Sequence, residues 1–396
     1  MKRKLTLLLL SCITLASCNT NNPSIPTHTT LIPEVGEVRL LFNHGTAGVS
    51  QYYNYCPSIK VENDEMHIYY CTNQKEGNVT DYVGYRTSKI VDGVVQTSEM
   101  DFVLEHGIAG EWDSRHACDP SVVKGEFGFN GETYNYLMAY LGCVTSDSTY
   151  NEVGIAVSKT PNGPWVKCNF GSDNTKINPI VPVKDFTEAI NCWGTGQPSL
   201  VSVDNKGTVL LFTTVGTDTA TFTNLRKYDF SNINEYQLLD EQRTINTTGV
   251  RGTATGANFI NNADFSYDTE NQRVLMAKPR QQFGTDGKEP NFIADTIDVY
   301  YIDDTEREGV GEVLFAGNNT TKQWKLIGSV DQKLTGFLRN HNCGLITDAY
   351  GHLINTDSIG VGFTRSDVGA GNNWSYLSTY RIYATAFSFP KAYFPK

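Results

Sequence analysis

The stretch Asp119-Pro120-Ser121-Val122 decides the fold, because it is one of five similar β-hairpin starts along the chain. The five starts are Cys56-Pro57-Ser58-Ile59, Asp119-Pro120-Ser121-Val122, Gln197-Pro198-Ser199-Leu200, Asn262-Ala263-Asp264-Phe265 and Asn342-Cys343-Gly344-Leu345. Each start is followed by a polar turn and a second strand rich in Tyr, Leu and Val, which is the pattern of a hairpin. A hairpin that recurs five times predicts a repeat architecture.

Further strands extend each hairpin into a larger unit. Third strands are predicted around Tyr82-Val83-Gly84-Tyr85, Val153 to Val157, Thr223 to Arg226, Ile297 to Tyr300 and Ile359 to Phe363. In the fifth unit we place the second strand from Leu353 onward, and we expect fourth strands near Trp165, Trp324 and Trp374. Five units of four strands predict an all-β fold, a five-bladed β-propeller with four-stranded blades. A β-sandwich also has many short strands, but it does not explain one hairpin repeated five times.

The N-terminus has the order of a secretion signal. Lys2, Arg3 and Lys4 precede a short apolar run, and Leu15-Ala16-Ser17-Cys18 resembles the lipobox of bacterial lipoproteins. We predict a signal peptide over 1–17, a lipidated Cys18 with a flexible tether over 18–36, and one propeller domain over 37–396. The protein would then be exported and lipid-anchored to the cell envelope, on its periplasmic or outer side. An ordinary cleaved signal, in which Cys18 has no role, is the alternative.

Composition narrows the choice of partners. The formal net charge is −11, and the predicted signal removes only positive charges, so the mature chain is more acidic still. An acidic chain without a Lys/Arg cluster is a poor ligand for nucleic acid. Of nine cysteines, Cys12 and Cys18 belong to the export segment, which leaves an odd number, so at least one thiol is unpaired. We expect a monomer.

The hairpin starts also predict where a site lies. In a propeller the inner strand of each blade lines the central axis, so equivalent residues at the strand starts converge. Those residues are Cys56, Asp119, Gln197, Asn262 and Asn342, with Tyr55, Cys118, Gly196, Asn261 and His341 one step outward. A polar ring of this kind would hydrogen-bond a ligand. The alternative is that each side chain satisfies neighbouring backbone groups.

Two segments around blade two carry a family resemblance. They are Trp112-Asp113-Ser114-Arg115-His116-Ala117-Cys118-Asp119-Pro120-Ser121-Val122-Val123 and Val153-Gly154-Ile155-Ala156-Val157-Ser158-Lys159-Thr160-Pro161-Asn162-Gly163-Pro164-Trp165. Together with the Pro-Ser starts they resemble the five-bladed propeller glycoside hydrolases, especially family 43 and its family 32 relatives. The resemblance implies a trio of carboxylates: a base Asp in blade one, a supporting Asp in blade two, and a proton-donating Glu from a later blade. An inverting glycosidase needs two of them about 6.5–9.5 Å apart.

The implied trio matches this chain in part. Asp119 stands at the blade-two position, but Cys56 and Gln197 stand where blades one and three would carry acids, and an amide does not titrate. Our catalytic candidates are Asp119 and Glu188, with Glu111 and Asp113 as further acids near blade two. Solvated surface carboxylates are the alternative for the last three.

The remaining candidates would hold substrate. They are Cys56, Trp112, Arg115, His116, Trp193, Gln197, Asn262, His341 and Asn342, and packing between blades is the alternative for the tryptophans. No cofactor is expected; a structural divalent ion near His341 is left open beside a buried, hydrogen-bonded histidine. Two functions follow: a glycoside hydrolase-like propeller that acts on or binds an oligosaccharide or polysaccharide at the axial face, or a non-catalytic carbohydrate-binding lipoprotein that has lost its base. A scaffold for another exported protein is a third hypothesis.

The lipid anchor gives a first test. We expect the Cys18→Ala protein to take up no palmitate label in cells, because the Cys18 thiol is the predicted attachment point. Cys12→Ala, inside the apolar run, is the matched control and should be labelled like the wild type. Undiminished label on Cys18→Ala would refute the anchor.

Overall fold

The computed structural model describes residues 30–43, 53–73, 79–145, 149–171, 177–183, 193–216, 221–251, 260–281, 284–289, 293–317, 320–367 and 375–389. Among them, no helix is long and apolar enough to span a bilayer. Cys18 and Glu188 lie outside the described residues, as does Trp374.

The described strands form five blades around one axis. Blade one contains β2 (Asn54–Glu62), β3 (Glu65–Thr72) and β4 (Tyr82–Val91), with β5 (Val94–Thr97) and β6 (Asp101–Leu104) both paired to β4. Blade two contains β7 (His116–Phe129), β8 (Glu132–Cys143), β9 (Glu152–Ser158) and β10 (Val166–Lys167). Blade three contains β11 (Gly194–Ser202), β12 (Thr208–Gly216), β13 (Thr221–Asp229) and β14 (Gln237–Thr244). Blade four contains β15 (Asp264–Asp268), β16 (Arg273–Pro279), β17 (Ile297–Asp303) and β18 (Lys325–Val330). Blade five contains β19 (Arg339–Asp348), β20 (Ser358–Ser366), β21 (Arg381–Ser388) and β1 (Arg39–Leu40).

The described helices are short and lie between strands. They are α1 (Glu312–Phe315), α2 (Gln332–Thr335) and the 3-10 helices Ile233–Glu235 and Ser375–Thr379. Asp331 caps α2 by accepting a hydrogen bond from the backbone N–H of Leu334, and Gly336 ends it in the left-handed conformation.

The five-bladed propeller predicted from the hairpin repeat is confirmed. In blade five, the strand assignments differ from those predicted. The fourth strands expected near Trp165 and Trp324 are β10 and β18. In blade five, Leu353 makes only an isolated bridge to Thr347, so the second strand is β20, which contains the segment predicted as the third. The fourth strand of this blade is β1, from the other end of the chain. Local turn signals could not reveal a strand supplied from so far away in sequence.

The N-terminal strand closes the ring. β1 pairs antiparallel with β21, so that Arg39 lies opposite Ala384 and Leu40 opposite Tyr383. On the axial side β19 runs parallel to β2, with Ile346 opposite Ile59, which joins the last blade to the first. Residues 31–36, assigned to the tether from sequence, also contact blade five, where Val35 bridges Ala386.

The core consists of apolar layers between neighbouring blades. Strand residues alternate between the two faces of each sheet, so every blade presents apolar side chains to both neighbours. Between blades three and four, for example, Phe212 and Phe265 stack with ring centroids 3.9 Å apart. Among the described cysteines, one covalent link crosses between blades, the disulfide from Cys71 in β3 to Cys118 in β7. Its ends are 47 residues apart, and closing such a loop stabilises a fold by about 4 kcal/mol in the chain-entropy model.

The closest blade contact gives a test of ring closure. A Cβ added at Gly344 of β19 would lie 1.9 Å from the carbonyl oxygen of Pro57 in β2. Because backbone is on both sides of this contact, we expect Gly344→Ala to lower the free energy of unfolding by about 1–3 kcal/mol or more. Val94→Ala on the exposed strand β5 is the control and should change it by less than about 0.5 kcal/mol. Equal unfolding midpoints in urea for the two variants would contradict the contact.

Candidate functional site

The five hairpin starts share one unusual backbone geometry. Cys56, Asp119, Gln197, Asn262 and Asn342 have φ values of 51°, 45°, 45°, 46° and 44°. Residues other than glycine rarely enter this left-handed region, so five equivalent cases mark one repeated structural feature. Four of the five lie at a register shift between the first and second strands of the blade. The alignment of the five starts made from sequence is therefore reproduced by the backbone.

The shared geometry brings residues of all five blades onto one narrow axial channel. Its lining residues are Cys56, Pro57, Ser58, Asp119, Pro120, Gln197, Pro198, Asn262, Ala263, Asp264, Asn342 and Cys343. Cys56 is partly exposed and Asp119 is 6% exposed. The predicted polar ring is thus present, and its two sides differ in chemistry.

Blades three to five contribute an amide side. The backbone N–H of Asn262 donates to Oε1 of Gln197 at 3.0 Å, and Nδ2 of Asn262 donates to Oδ1 of Asn342 at 3.0 Å. These bonds orient all three amides. Oδ1 of Asn262 is buried without a partner among the described residues, and a buried acceptor of this kind is costly unless a ligand or water supplies a donor.

Blades one and two contribute a sulfur and carboxyl side. The Cys56 thiol donates a hydrogen bond to the Asp119 carboxylate, and the backbone N–H of Asp119 donates to Sγ of Cys71 at 2.8 Å. Burial raises the pKa of Asp119 to about 7; Asp81 adds to the increase, while the Cys56 hydrogen bond and His116 oppose it. Asp119 therefore changes charge near neutral pH.

A cavity of about 320 Å³ opens beside the amide side. Its lining residues are Trp193, Gln197, Gly216, Thr221, Asn261, Asn262, Pro279, Gln281, Ile293, Ala294, His341, Asn342 and Tyr380. Burial lowers the pKa of His341 to about 3, so its imidazole is neutral at physiological pH, and its Nε2 has no hydrogen-bond partner among the described residues. The described lining is therefore uncharged, rich in amides, and carries two aromatic side chains.

Several predicted site residues lie outside this cavity and pack within blade two and its border with blade one. The Trp112 ring packs on Tyr140 at 5.5 Å, and Nη2 of Arg115 donates to the carbonyl of Val79 at 2.8 Å. His116 is fully buried, with Nδ1 2.6 Å from the Asp81 carboxylate. Each side chain thus has a contact within the fold, while Nε1 of Trp112, Nε of Arg115 and Nε2 of His116 are buried without a hydrogen-bond partner among the described residues.

The two further acids near blade two also have local partners. Oε2 of Glu111 accepts a hydrogen bond from the backbone N–H of Ile108. Asp113 is fully buried and pairs with Nζ of Lys167 at 2.5 Å. Neither is among the residues that line the cavity or the channel.

Sequence reasoning missed several residues of this region, of which three have polar side chains that matter for the site. Tyr380 and Gln281 line the cavity, and Asp81 accepts from the Tyr53 hydroxyl at 2.6 Å and acts electrostatically on Asp119. None of them stands at a hairpin start. No pattern in the sequence marks them. They reach the site because strands of neighbouring blades come together in the closed ring.

The described residues offer one grouping of metal-type ligands. Ligand atoms of Cys56, Cys71 and Asp119 lie within 4.8 Å of one another. Because Cys71 is bonded to Cys118, its sulfur is not a thiolate, and only two ordinary ligands remain. No such grouping surrounds His341 within the described ranges.

Comparisons with solved structures define the class of fold. A GH62 hydrolase in complex with xylotriose is similar with a TM-score of 0.53 and 11% identity, covering 88% of this chain and 95% of that one. A family 117 glycoside hydrolase from Zobellia galactanivorans gives 0.50 and 14%, covering 90% and 91%. The GH62 α-L-arabinofuranosidase of Coprinopsis cinerea gives 0.50 and 10%, covering 88% and 95%. The chain is a five-bladed propeller of the type found in these glycoside hydrolases, as the blade-two resemblance predicted. No protein-family model and no curated protein matches the chain.

The raised pKa of Asp119 predicts a pH dependence of stability. The folded protein holds this proton more tightly than the unfolded chain, so the stabilisation is complete below about pH 3.8 and is lost as the pH rises to about 7. We expect Asp119→Asn to melt close to the wild type at pH 4.5 and at a higher temperature at pH 8, because it buries no charge.

Asp298 provides the opposite case as a control. Burial favours its neutral form, but hydrogen bonds from Arg280 and Ser329 outweigh burial and hold the pKa of Asp298 below its usual value. Its stabilisation is present above the unfolded pKa and is lost on acidification, so Asp298→Asn should be destabilised most at pH 8. If Asp119→Asn showed that same pattern in thermal melts, the carboxyl would be a paired structural anion.

Proposed function

We propose that the protein binds a neutral oligosaccharide in the cavity beside its axis. The observation that carries the proposal is that the described lining residues are uncharged, with the amides of Gln197, Asn262 and Asn342 beside the aromatic ring of Trp193. Amides both donate and accept hydrogen bonds, which matches the paired donor and acceptor character of sugar hydroxyls. An aromatic face provides the apolar surface on which the C–H groups of a sugar ring pack.

Orientation of the amides supports selective binding. Asn262 is fixed by its bonds to Gln197 and Asn342, so these three lining amides are held in place before a ligand binds. Pre-organised polar groups lower the entropic cost of binding. A volume of about 320 Å³ lies at the lower end of ligand pockets, which run from about 300 to 1,000 Å³. The site is therefore of a size for a short segment of a glycan.

The structural neighbours support carbohydrate as the ligand class. One of them was solved with xylotriose, and the fold similarity covers most of both chains. Because one fold hosts several functions, this support is an analogy, and the uncharged character of the described cavity lining is the main argument. We further propose that lipid on Cys18 holds the propeller at the cell envelope, as the order of residues 1–18 suggests.

Hydrolysis is the second candidate, and Asp119 favours it. A carboxyl group with a pKa near 7 suits proton transfer at neutral pH. Against it, the described cavity lining contains no acid, and the blade-one position holds Cys56, whose pKa burial raises well above that of an ordinary thiol. An inverting mechanism needs a second carboxyl group, for which Glu188 remains our candidate.

Trp193 tests the binding proposal. We expect a panel of neutral pentose and hexose oligosaccharides, xylotriose included, to contain a ligand that changes the intrinsic fluorescence of the wild type. Trp193→Ala should weaken its binding by about tenfold to a hundredfold, the loss of about 1.4–2.8 kcal/mol. Tyr236→Ala, an aromatic that is 39% exposed outside the cavity, is the matched control and should bind normally. A panel with no ligand in titration calorimetry would reject the proposal.

Product analysis separates binding from hydrolysis. If the protein is a binder, the ligand found in the panel is recovered intact after long incubation, and Asp119→Asn changes its affinity by less than about threefold. If it is a hydrolase, reducing ends accumulate, and either Asp119→Asn or Glu188→Gln lowers turnover by about two to four orders of magnitude.

A further inference from the structure

Three sulfur atoms and one carboxyl group meet where blade one contacts blade two. Cys71 and Cys118 form the disulfide, and Cys56 is a free, partly exposed cysteine that lines the axial channel. Sγ of Cys56, Sγ of Cys71 and a carboxylate oxygen of Asp119 lie within 4.8 Å of one another. Oδ1 of Asp119 is also 3.2 Å from Sγ of Cys118. One carboxyl group thus contacts all three sulfurs.

We propose that Cys56 and the Cys71–Cys118 disulfide form a thiol–disulfide exchange site in which Asp119 moves the proton between the sulfurs. The inference does not depend on sugar binding. It assigns a chemical role to Cys56, which replaces the acid that the glycoside hydrolase resemblance implies at the start of blade one.

The exchange is balanced within the chain. Asp119 takes the proton from the Cys56 thiol, whose pKa burial raises well above its usual value, so the thiolate is a transient minor species when it attacks Sγ of Cys71. A Cys56–Cys71 bond forms, the Cys71–Cys118 bond breaks, and Cys118 leaves with the electron pair. Asp119 then returns the proton to Cys118. One disulfide replaces another, so no oxidant or reductant is consumed.

Strand register brings the attacking and receiving residues together. Tyr55 lies opposite Cys71 in the pairing of β2 with β3, and Cys56 is the next residue. The Sγ atoms of Cys56 and Cys71 lie within 4.8 Å of each other. Both cysteines belong to blade one, so the proposed Cys56–Cys71 bond crosses no boundary between blades.

The leaving sulfur has its own hydrogen-bond donor. The Tyr55 oxygen is 3.0 Å from Sγ of Cys118, and a disulfide sulfur carries no proton, so the hydroxyl is the donor. Burial raises the pKa of Tyr55 well above its usual value, which keeps that proton in place. The same hydroxyl is shared with the Asp81 carboxylate at 3.3 Å, so it can turn toward the thiolate as it forms.

The exchange would change how the first two blades are joined. The Cys71–Cys118 bond links β3 of blade one to β7 of blade two, whereas a Cys56–Cys71 bond lies within blade one. The reaction therefore releases a covalent link between blades and removes the thiol from the axial channel.

Disulfide mapping tests the proposal on the mature protein without added reductant. Samples are moved from pH 4 to pH 8, quenched in acid at intervals, alkylated while denatured and digested for mass spectrometry. We expect a Cys56–Cys71 peptide to appear together with alkylated Cys118, and Asp119→Asn to slow its appearance at least tenfold. Cys56→Ser should show only Cys71–Cys118, and Cys168→Ser, which alters a buried thiol elsewhere in blade two, should behave like the wild type.

A second variant tests separately whether Cys56 and Cys71 are placed to form a disulfide. In Cys118→Ser, with oxidised glutathione as the oxidant, we expect Cys56 and Cys71 to join, with melting curves confirming the fold. Recovery of Cys71–Cys118 alone at all times in the wild type, or no Cys56–Cys71 bond in Cys118→Ser, would overturn the exchange site. Linkage of Cys56 to any other cysteine would do the same, and an unchanged rate in Asp119→Asn would remove the role of its carboxyl group.

Discussion

Closure of the ring is the constraint on which the other features of this protein depend. Each inner strand can reach the axis only because its blade is held between two neighbours, and a ring that is open at one point leaves two blades with an uncovered apolar face. The chain closes it twice, by pairing β1 with β21 at the rim and by running β19 beside β2 near the axis. The strand that completes the last blade thus comes from the start of the chain, which couples the termini of the domain.

The axial site depends on closure of the ring and on a strained backbone conformation that recurs once in each blade. Five non-glycine residues hold left-handed φ values at equivalent positions, and each is unfavourable in isolation. Strain of this kind persists only where surrounding structure over-determines it, as the strand pairing on both sides does here. The result is a ring with two chemistries. Amides of blades three to five are hydrogen-bonded to one another beside a cavity whose described lining is uncharged, while a carboxyl group, a thiol and a disulfide lie in blades one and two.

Burial explains why the carboxyl group of Asp119 titrates differently from a carboxyl group on the surface. Asp119 is buried next to sulfur atoms, which form only weak hydrogen bonds with its carboxyl group. Burial therefore raises its pKa, and the neutral form is favoured until the pH is close to 7. Asp298 is equally excluded from water, yet Arg280 and Ser329 supply strong donors and keep it ionised. The partner, more than the depth of burial, decides the charge of each acid.

The sequence by itself determined the five hairpin starts, the all-β class, and the five residues of the axial ring, because turn residues and strand alternation act over a few neighbouring positions. It did not show which contacts form between distant segments. Trp112, Arg115 and His116 adjoin Asp119 in the chain, and their side chains contact Tyr140, Val79 and Asp81. Only the tertiary structure decided that Tyr380 lines the cavity, that Cys71 pairs with Cys118, and that β1 completes blade five. Those contacts exist because a closed ring brings remote strands together, and no local propensity encodes which remote strand arrives.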